Sequence, residues 1–400
     1  MARGDGRNKR TGFSTRAIHL GYDPFKNQRS LTPPVYMTST YAFESAEEGG
    51  AVFSGETPGF TYGRTLNPTQ ALLQERLASL EDGEAALAFA SGIGAISTLF
   101  WTLCRAGDIV LCDKILYGST YAFLKKGLAK FHVDVRFVDL NDEDALASAL
   151  GLRPRILYFE TPANPNLRLI DVARVCEAAR AAGALSVVDN TFATPYLQRP
   201  LTLGADLVVH SMTKYLGGHG DLLAGAVIGP KETVELLRKE GLRFNTGATI
   251  SPLNAFLVMR GLKTLELRME RHCISAQSVA GFLASHPKVA QVHYPYLENS
   301  TDLDLAKKQM SAGGGLVSFE LRGGMEAGRR FINALEMTLC AVSLGDAETL
   351  AQHPASMTHF TYSKEERAEV GITDGLIRLS IGLENLSDIL DDFSEALEKA

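Results

Sequence analysis

Lys214 stands in His210-Ser211-Met212-Thr213-Lys214-Tyr215, directly after the apolar run LVVH, and Gly217-Gly218-His219-Gly220 follows. A lysine that is to condense with a carbonyl must be fixed, close to backbone, and partly desolvated so that its amine is neutral. Ser211 and Thr213 flank it, and their hydroxyls can hydrogen-bond the phosphate oxygens of a cofactor held by the lysine. Asp189 closes another apolar run, LSVVD, with Asn190 and Thr191 after it. A buried carboxylate at a strand end is costly without a cation beside it. A protonated pyridine nitrogen is such a cation, and pairing with it keeps the ring an electron sink. Alone, Lys214 also reads as a surface lysine and Asp189 as the cap of the next turn. Together, on successive strand ends, they favour the cofactor reading.

Further groups have the right chemistry. Ser91-Gly92-Ile93-Gly94 follows the run ALAFA and opens a helix, where free amides bind phosphate and glycine permits close approach. The same segment nearly matches a dinucleotide fingerprint, with Ser97 where a third glycine is expected and Asp113 ending the next run. That rival, a nicotinamide-dependent dehydrogenase, is disfavoured by the missing glycine and by the Lys214–Asp189 pair. Glu160-Thr161-Pro162-Ala163-Asn164-Pro165 is a stiff turn that can aim the Asn164 amide at a ligand. Tyr117 can stack on a flat ring or move a proton. Tyr62-Gly63-Arg64 offers a phenol and a guanidinium suited to phosphate, and Arg378 suits a substrate carboxylate. Taken singly, these last three sites are more often structural.

The elements that must position these groups can be read from periodicity. Residues 86–90, 109–112, 133–138, 156–160, 185–189, 207–210 and 224–229 are short apolar runs, alternating with helical patterns such as 171–182. Such alternation predicts an α/β domain with a mainly parallel sheet, whose ligands lie beyond the carboxyl ends of the strands. Asn67-Pro68-Thr69-Gln70 predicts a helix start with a capping Asn, Pro at the first position and Gln three residues on. Before it, little periodicity is present, and the segment reads as an extended arm that packs on another subunit. From about residue 266, a long helix, the run GGGLVSFEL and helices near 326–335 and 385–399 predict a smaller α+β domain.

Composition narrows the class. Apolar residues are 45%, charged residues 22% and the formal net charge is -6 with scattered basic side chains, which predicts neither nucleic acid nor a membrane as partner. The basic opening MARGDGRNKR lacks a following apolar run and reads as a flexible terminus rather than a secretory signal. The five cysteines lack metal-ligand spacing and predict reduced, packed thiols in a cytoplasmic protein, with no metal.

The strings TYGRTLNPT, ASGIGAI, ETPANPN, VVDNTF, HSMTKYLGGHGD and IRLSIGLE occur in one order. In order and spacing the chain resembles, from about residue 12 to its end, the cystathionine γ-lyase / methionine γ-lyase family of pyridoxal-phosphate (PLP) enzymes, the Cys/Met metabolism class. Within it the likeness is strongest to the methionine γ-lyase branch, in RAIHLGYDP and in AVSLGDAETLAQHPASMTH (341–359). The resemblance implies the aspartate-aminotransferase-like fold type I: an arm over 1–66, a PLP domain over 67–265 and a C-terminal domain over 266–400. It implies that Lys214 carries the cofactor and shuttles protons, that Asp189 pairs with the pyridine nitrogen, and that Tyr117 stacks on the ring and helps the leaving group depart. Gly92, Ile93, Ser211 and Thr213 would hold the phosphate, joined by Tyr62 and Arg64 of the neighbouring subunit. Asn164, Ser343 and Arg378 would hold the carboxylate side of an amino-acid substrate. The implied assembly is a homotetramer, a dimer of dimers with shared active sites.

The chain departs from the methionine branch around the substrate side chain, with Ser119 in place of Cys, Arg243 in place of Lys and Phe244 in place of Asp. Val342 stands where cystathionine lyases usually carry Glu. The expected reaction is α,γ-elimination of L-methionine and homocysteine to 2-oxobutyrate, ammonia and a thiol. The alternatives are a cystathionine γ-lyase, a γ-replacement enzyme of the O-acetylhomoserine sulfhydrylase type, and a non-catalytic relative.

Overall fold

The computed structural model describes residues 11–358, 363–369 and 371–400. The basic opening segment 1–10 and the final histidine of the 341–359 string lie outside them. In chain order, α1 (Phe13–His19) and α2 (Ala46–Ser54) precede α3 (Pro68–Leu80). Then come β1 (Ala85–Phe89), α4 (Gly92–Leu103), β2 (Ile109–Asp113), α5 (Gly118–Ala122), β3 (Asp134–Val138), α6 (Glu143–Leu150), β4 (Ile156–Glu160), α7 (Val172–Ala181), β5 (Leu185–Asp189), α8 (Thr194–Leu197), β6 (Leu207–Ser211), β7 (Gly225–Gly229) and α9 (Lys231–Leu236). A π-helical segment, Leu237–Thr246, leads to α10 (Pro252–Leu262) and α11 (Leu265–Ser285). The remainder is β8 (Val289–His293), α12 (Leu303–Gln309), β9 (Leu316–Leu321), α13 (Gly324–Ala334), β10 (Leu339–Cys340), β11 (Leu350–Gln352), α14 (Lys364–Glu369), β12 (Leu376–Ser380) and α15 (Leu386–Lys399).

The large sheet is seven-stranded in the order β1-β7-β6-β5-β4-β2-β3, and β7 alone runs antiparallel to its neighbours. Its strands read as unbroken apolar runs because both faces are covered. On β4, Ile156 and Tyr158 pack with Leu99, Phe100 and Leu103 of α4, while Leu157 and Phe159 pack with Val172, Val175 and Cys176 of α7. The parallel strands β2, β4, β5 and β6 all end on one side, so Asp113, Glu160, Asp189 and Ser211 form a row.

The second sheet is five-stranded, ordered β10-β11-β12-β9-β8, and packs against α11, α13 and α15. It meets the first where the Ser318 hydroxyl of β9 donates to the Pro165 carbonyl at 2.6 Å. That contact sets Arg378, register partner of Ser318, beside the turn after β4.

Local expectations fared unevenly. The Asn67 cap forms, its side chain accepting from the Thr69 amide at 2.8 Å. Gln70 does not close a capping box; its amide donates to the Ile250 carbonyl at 2.7 Å, a tertiary partner that outweighs the local one. The arm is less extended than periodicity predicts, since α1 and α2 lie within it. Ser45 caps α2 and Gly55 ends it in a left-handed conformation, so end signals carried a helix that the apolar pattern did not reveal. Among the cysteines Cys104, Cys112, Cys176 and Cys273 are buried, but Cys340 is exposed on the edge strand β10, and all are free thiols.

Candidate active site

Lys214 follows the carboxyl end of β6, where the chain turns sharply and the Gly218 amide bonds back to the Lys214 carbonyl at 2.8 Å. Its ammonium nitrogen donates to the Ser343 hydroxyl at 2.9 Å, across the gap between the two sheets. Burial lowers the pKa of this ammonium; the Arg378 charge lowers it further, and Asp346 opposes both. The neutral amine is therefore more accessible here than on a surface lysine.

Asp189 ends β5 beside Glu160, its register partner at the end of β4. The Thr191 amide donates to Asp189 at 2.9 Å and the Tyr158 hydroxyl at 3.2 Å. Burial raises the Asp189 pKa above the ordinary value despite these donors. Burial, and then Asp189 itself, raises that of Glu160. No Arg or Lys pairs with either carboxylate among the described residues. Glu160 also accepts from the Tyr117 amide at 2.8 Å, which fixes the start of α5 so that the Tyr117 ring stands 52% exposed over the strand ends.

Ser91 caps α4, its hydroxyl accepting from the Gly94 amide at 3.0 Å. A methyl group on Gly92 would lie 2.9 Å from the Ser211 Cβ, and one on Gly225 would lie 2.8 Å from the Gly92 Cα. Backbone thus packs on backbone, and the helix amides face an approach that only glycine permits. The Thr213 hydroxyl is held within the fold, accepting from the Ala224 amide at 3.1 Å, while the Ser211 amide donates to the Thr191 hydroxyl at 2.8 Å.

Arg378 is 3% exposed at the centre of the small sheet. It donates to the Asn164 side-chain oxygen at 2.8 Å and to the carbonyls of Val342 and Ser343 at 3.2 and 2.9 Å. Its Nε has no partner among the described residues, and burial brings its pKa down to about 10, so it stays charged at neutral pH. A buried guanidinium with neutral neighbours is an anchor for an incoming carboxylate.

The expected residues fall into two groups. Lys214, Ser343, Val342, Arg378 and Asn164 are joined by direct hydrogen bonds, and Gly92, Ser211, Asp189 and Tyr117 line the adjoining strand ends. Ile93 and Ser119 are exposed beside them, on α4 and α5. Tyr62 and Arg64 belong elsewhere in the chain: Arg64 lies over the Tyr62 ring at 5.7 Å and donates to the Arg243 carbonyl, next to the exposed Phe244. Sequence reasoning missed Glu160 and Asp346. Glu160 ends its run as Asp189 does, which was the available signal. Asp346 is 6% exposed beside Lys214, and nothing in its local sequence marks it.

The residues fit PLP. The Gly92–Ser211 cradle has the tight approach that a phosphate needs, Asp189 lacks a cation that a pyridinium would supply, and Lys214 has an acidified ammonium.

Over residues 14–398 the chain matches the family described as Cys/Met metabolism PLP-dependent enzyme. It is 56% identical over 393 residues to the L-methionine gamma-lyase of Pseudomonas putida, covering 98% of this chain and 99% of that one. It is 43% identical over 390 residues to a cystathionine beta-lyase of Lactococcus lactis subsp. cremoris, covering 97% and 100%. Among solved structures, cystathionine gamma synthase from Xanthomonas oryzae pv. oryzae in complex with cystathionine is similar at a TM-score of 0.92 and 39% identity, covering 97% of this chain and 98% of that one.

Proposed function

The chain belongs to the Cys/Met metabolism PLP-dependent enzymes, and from that premise we propose that it is a carbon–sulfur lyase removing the γ-substituent of L-methionine and homocysteine. The products would be 2-oxobutyrate, ammonia and a thiol. The observation that carries the choice of substrate is the neutral wall beside Arg378. Val342, whose carbonyl accepts from Arg378, is 58% exposed and apolar. Such a wall suits a short thioether and leaves the distal ammonium of cystathionine unpaired.

When bound, the cofactor supplies an electron sink for the bonding electrons of the substrate's α-carbon. The chain's own residues do the rest. Arg378 grips the substrate carboxylate while Asn164 and the Val342 and Ser343 carbonyls fix its fork. Lys214 takes the α-proton on Nζ, with Ser343 orienting that nitrogen. Having passed the α-proton on to the bound cofactor, Lys214 Nζ would then take a proton from the β-carbon. The Tyr117 hydroxyl delivers a proton to the departing sulfur, its backbone pinned by Glu160. Ser211, Thr213 and the amides at Gly92 and Ile93 would hold the phosphate, and Asp189 the ring nitrogen.

The shared-site dimer of dimers is part of this reading. Tyr62 and Arg64 are exposed, Arg64 donates to the Arg243 carbonyl of its own chain, and both would serve a neighbour's phosphate. Free thiols support a cytoplasmic setting, and among the described residues no helix is long and apolar enough to cross a membrane.

The test is a steady-state screen of methionine, homocysteine, cystathionine, cysteine and O-acetylhomoserine with sulfide. Methionine should yield 2-oxobutyrate and methanethiol. The reading is lost if cystathionine gives the highest kcat/KM, or if a new thioether forms while methionine is untouched.

A further inference from the structure

A pocket of about 260 Å³ opens between the N-terminal arm, α3 and α10, and it shares no lining residue with the strand-end site. Thr32 of the arm and Phe256 and Met259 of α10 form part of its wall. The charge on its wall is all of one sign: Arg76, Arg260 and Lys263 line it, and no carboxylate among the described residues does. Arg260 and Lys263 stand at the carboxyl end of α10, where helix carbonyls favour cations. Arg76 has no such compensation. It is 1% exposed in the middle of α3. Its Nε donates to the Leu20 carbonyl at 3.1 Å, and its Nη1 is buried with no partner among the described residues.

Other arginines withdrawn from solvent have more acceptors. Arg168 has two carboxylates, those of Asp113 and Asp139. Arg268 donates to the Tyr215 and Gly261 carbonyls and to the Thr264 hydroxyl. Burial brings the Arg76 pKa down to about 10, with Glu75 next to it along the helix opposing from outside the pocket, so the guanidinium is charged at neutral pH. An unpaired buried charge beside an open pocket, with two further cations on the rim, lacks only the anion.

We propose that this pocket binds a divalent tetrahedral oxyanion of the phosphate class. The Arg260 guanidinium and the Lys263 ammonium can meet oxygens of such an ion, the Thr32 hydroxyl can donate to it, and the buried Arg76 charge stands behind it. The ion ties the arm to α3 and α10. The arm leads on to Tyr62 and Arg64, so the ion also steadies the residues that would complete a neighbour's site.

The experiment is calorimetric titration of inorganic phosphate into the cofactor-loaded enzyme at fixed ionic strength, with chloride as the balancing salt. Loading keeps phosphate out of the Gly92 cradle. Saturable binding is expected, with Tm raised by about 3 °C at saturation relative to chloride. Arg76→Met should weaken binding by at least about tenfold. Should that variant fail to fold, the rim variants Arg260→Gln and Lys263→Gln should each weaken it several-fold. Heat no greater than with chloride overturns the proposal. So does binding that all three variants leave unchanged. An unresponsive wild type whose oligomer dissociates on Lys263→Gln also overturns it, because a neighbouring copy's carboxylate would then fill the pocket.

Discussion

Asp113 and Asp189 end two parallel strands of one sheet, with only β4 between them, yet their surroundings differ. Arg168 closes on Asp113 with one nitrogen 2.7 and 2.6 Å from its two oxygens, and amides of Ile115 and Leu140 complete the shell. Asp189 receives the Thr191 amide and hydroxyl and one phenol, and no Arg or Lys pairs with it among the described residues. The first carboxylate is satisfied by the fold itself. The second is held in a low-dielectric row beside another carboxyl, with no partner of opposite charge among the described residues. Under the proposed function, charge left open at a strand end is the functional position and charge closed there the structural one.

Substitution of the two aspartates tests the contrast most strongly. Asp189→Asn should lower kcat/KM by roughly 10³-fold or more, about 4 kcal/mol of transition-state stabilisation, with Tm little changed. Equal losses from Asp113→Asn and Asp189→Asn, each measured per folded molecule, would break the distinction. Asp113→Asn should instead cost about 3 kcal/mol of stability in denaturant titrations, because Arg168 loses its buried partner, while kcat/KM stays within a few-fold.

Arg378→Lys sharpens the same idea for the cation. A point charge cannot fork a carboxylate, so KM for methionine should rise about 100-fold, roughly 2.7 kcal/mol, with the thiol and oxo-acid products unchanged. A KM within twofold of wild type would remove Arg378 from substrate binding.

The smallest effect is in pH. The folded pKa of Asp189 is raised, so its folded-state contribution favours stability below its unfolded value and is lost as pH rises through the folded value. In cofactor-free protein at pH 7, Asp189→Asn should therefore be more stable than wild type, the advantage fading as pH falls toward 3.8. Asp139, held down to about 2 by Lys114 and Arg168, has the opposite sign: its contribution is present at neutral pH and lost in acid from about 3.8 downward. A variant less stable than wild type at neutral pH would mean that the donors around Asp189 outweigh its burial.

Legibility followed locality. The strands of the large sheet, α3, α7 and α11 could be read because period, cap and composition lie within each segment. The strand-end positions of Lys214 and Asp189 could be read because an apolar run leads into each. The Asp113–Arg168 closure could not, since the partners are far apart in sequence and their approach depends on the turn after β4. Neither could the edge position of Cys340, which is fixed by where β10 docks, or the burial of Asp346 against the Lys214 loop. Gln70 shows the limit from the other side: its local pattern was right for a cap, and a carbonyl from the α10 approach claimed it.

The contact of Gly92 with Ser211 and of Gly225 with Ser91 has a consequence for how such an enzyme diversifies. At those positions no larger residue fits without moving backbone, because Gly225 would meet the Ser91 carbonyl at once. Around Val342 and Ser119 the side chains are exposed and many replacements are sterically silent. Variation is thereby channelled to one rim of the cleft. A saturation library across both regions should return almost all of its active, substrate-shifted clones from the open rim, and drift over long lineages should leave the crowded floor unaltered while preferences for the sulfur substituent come and go above it.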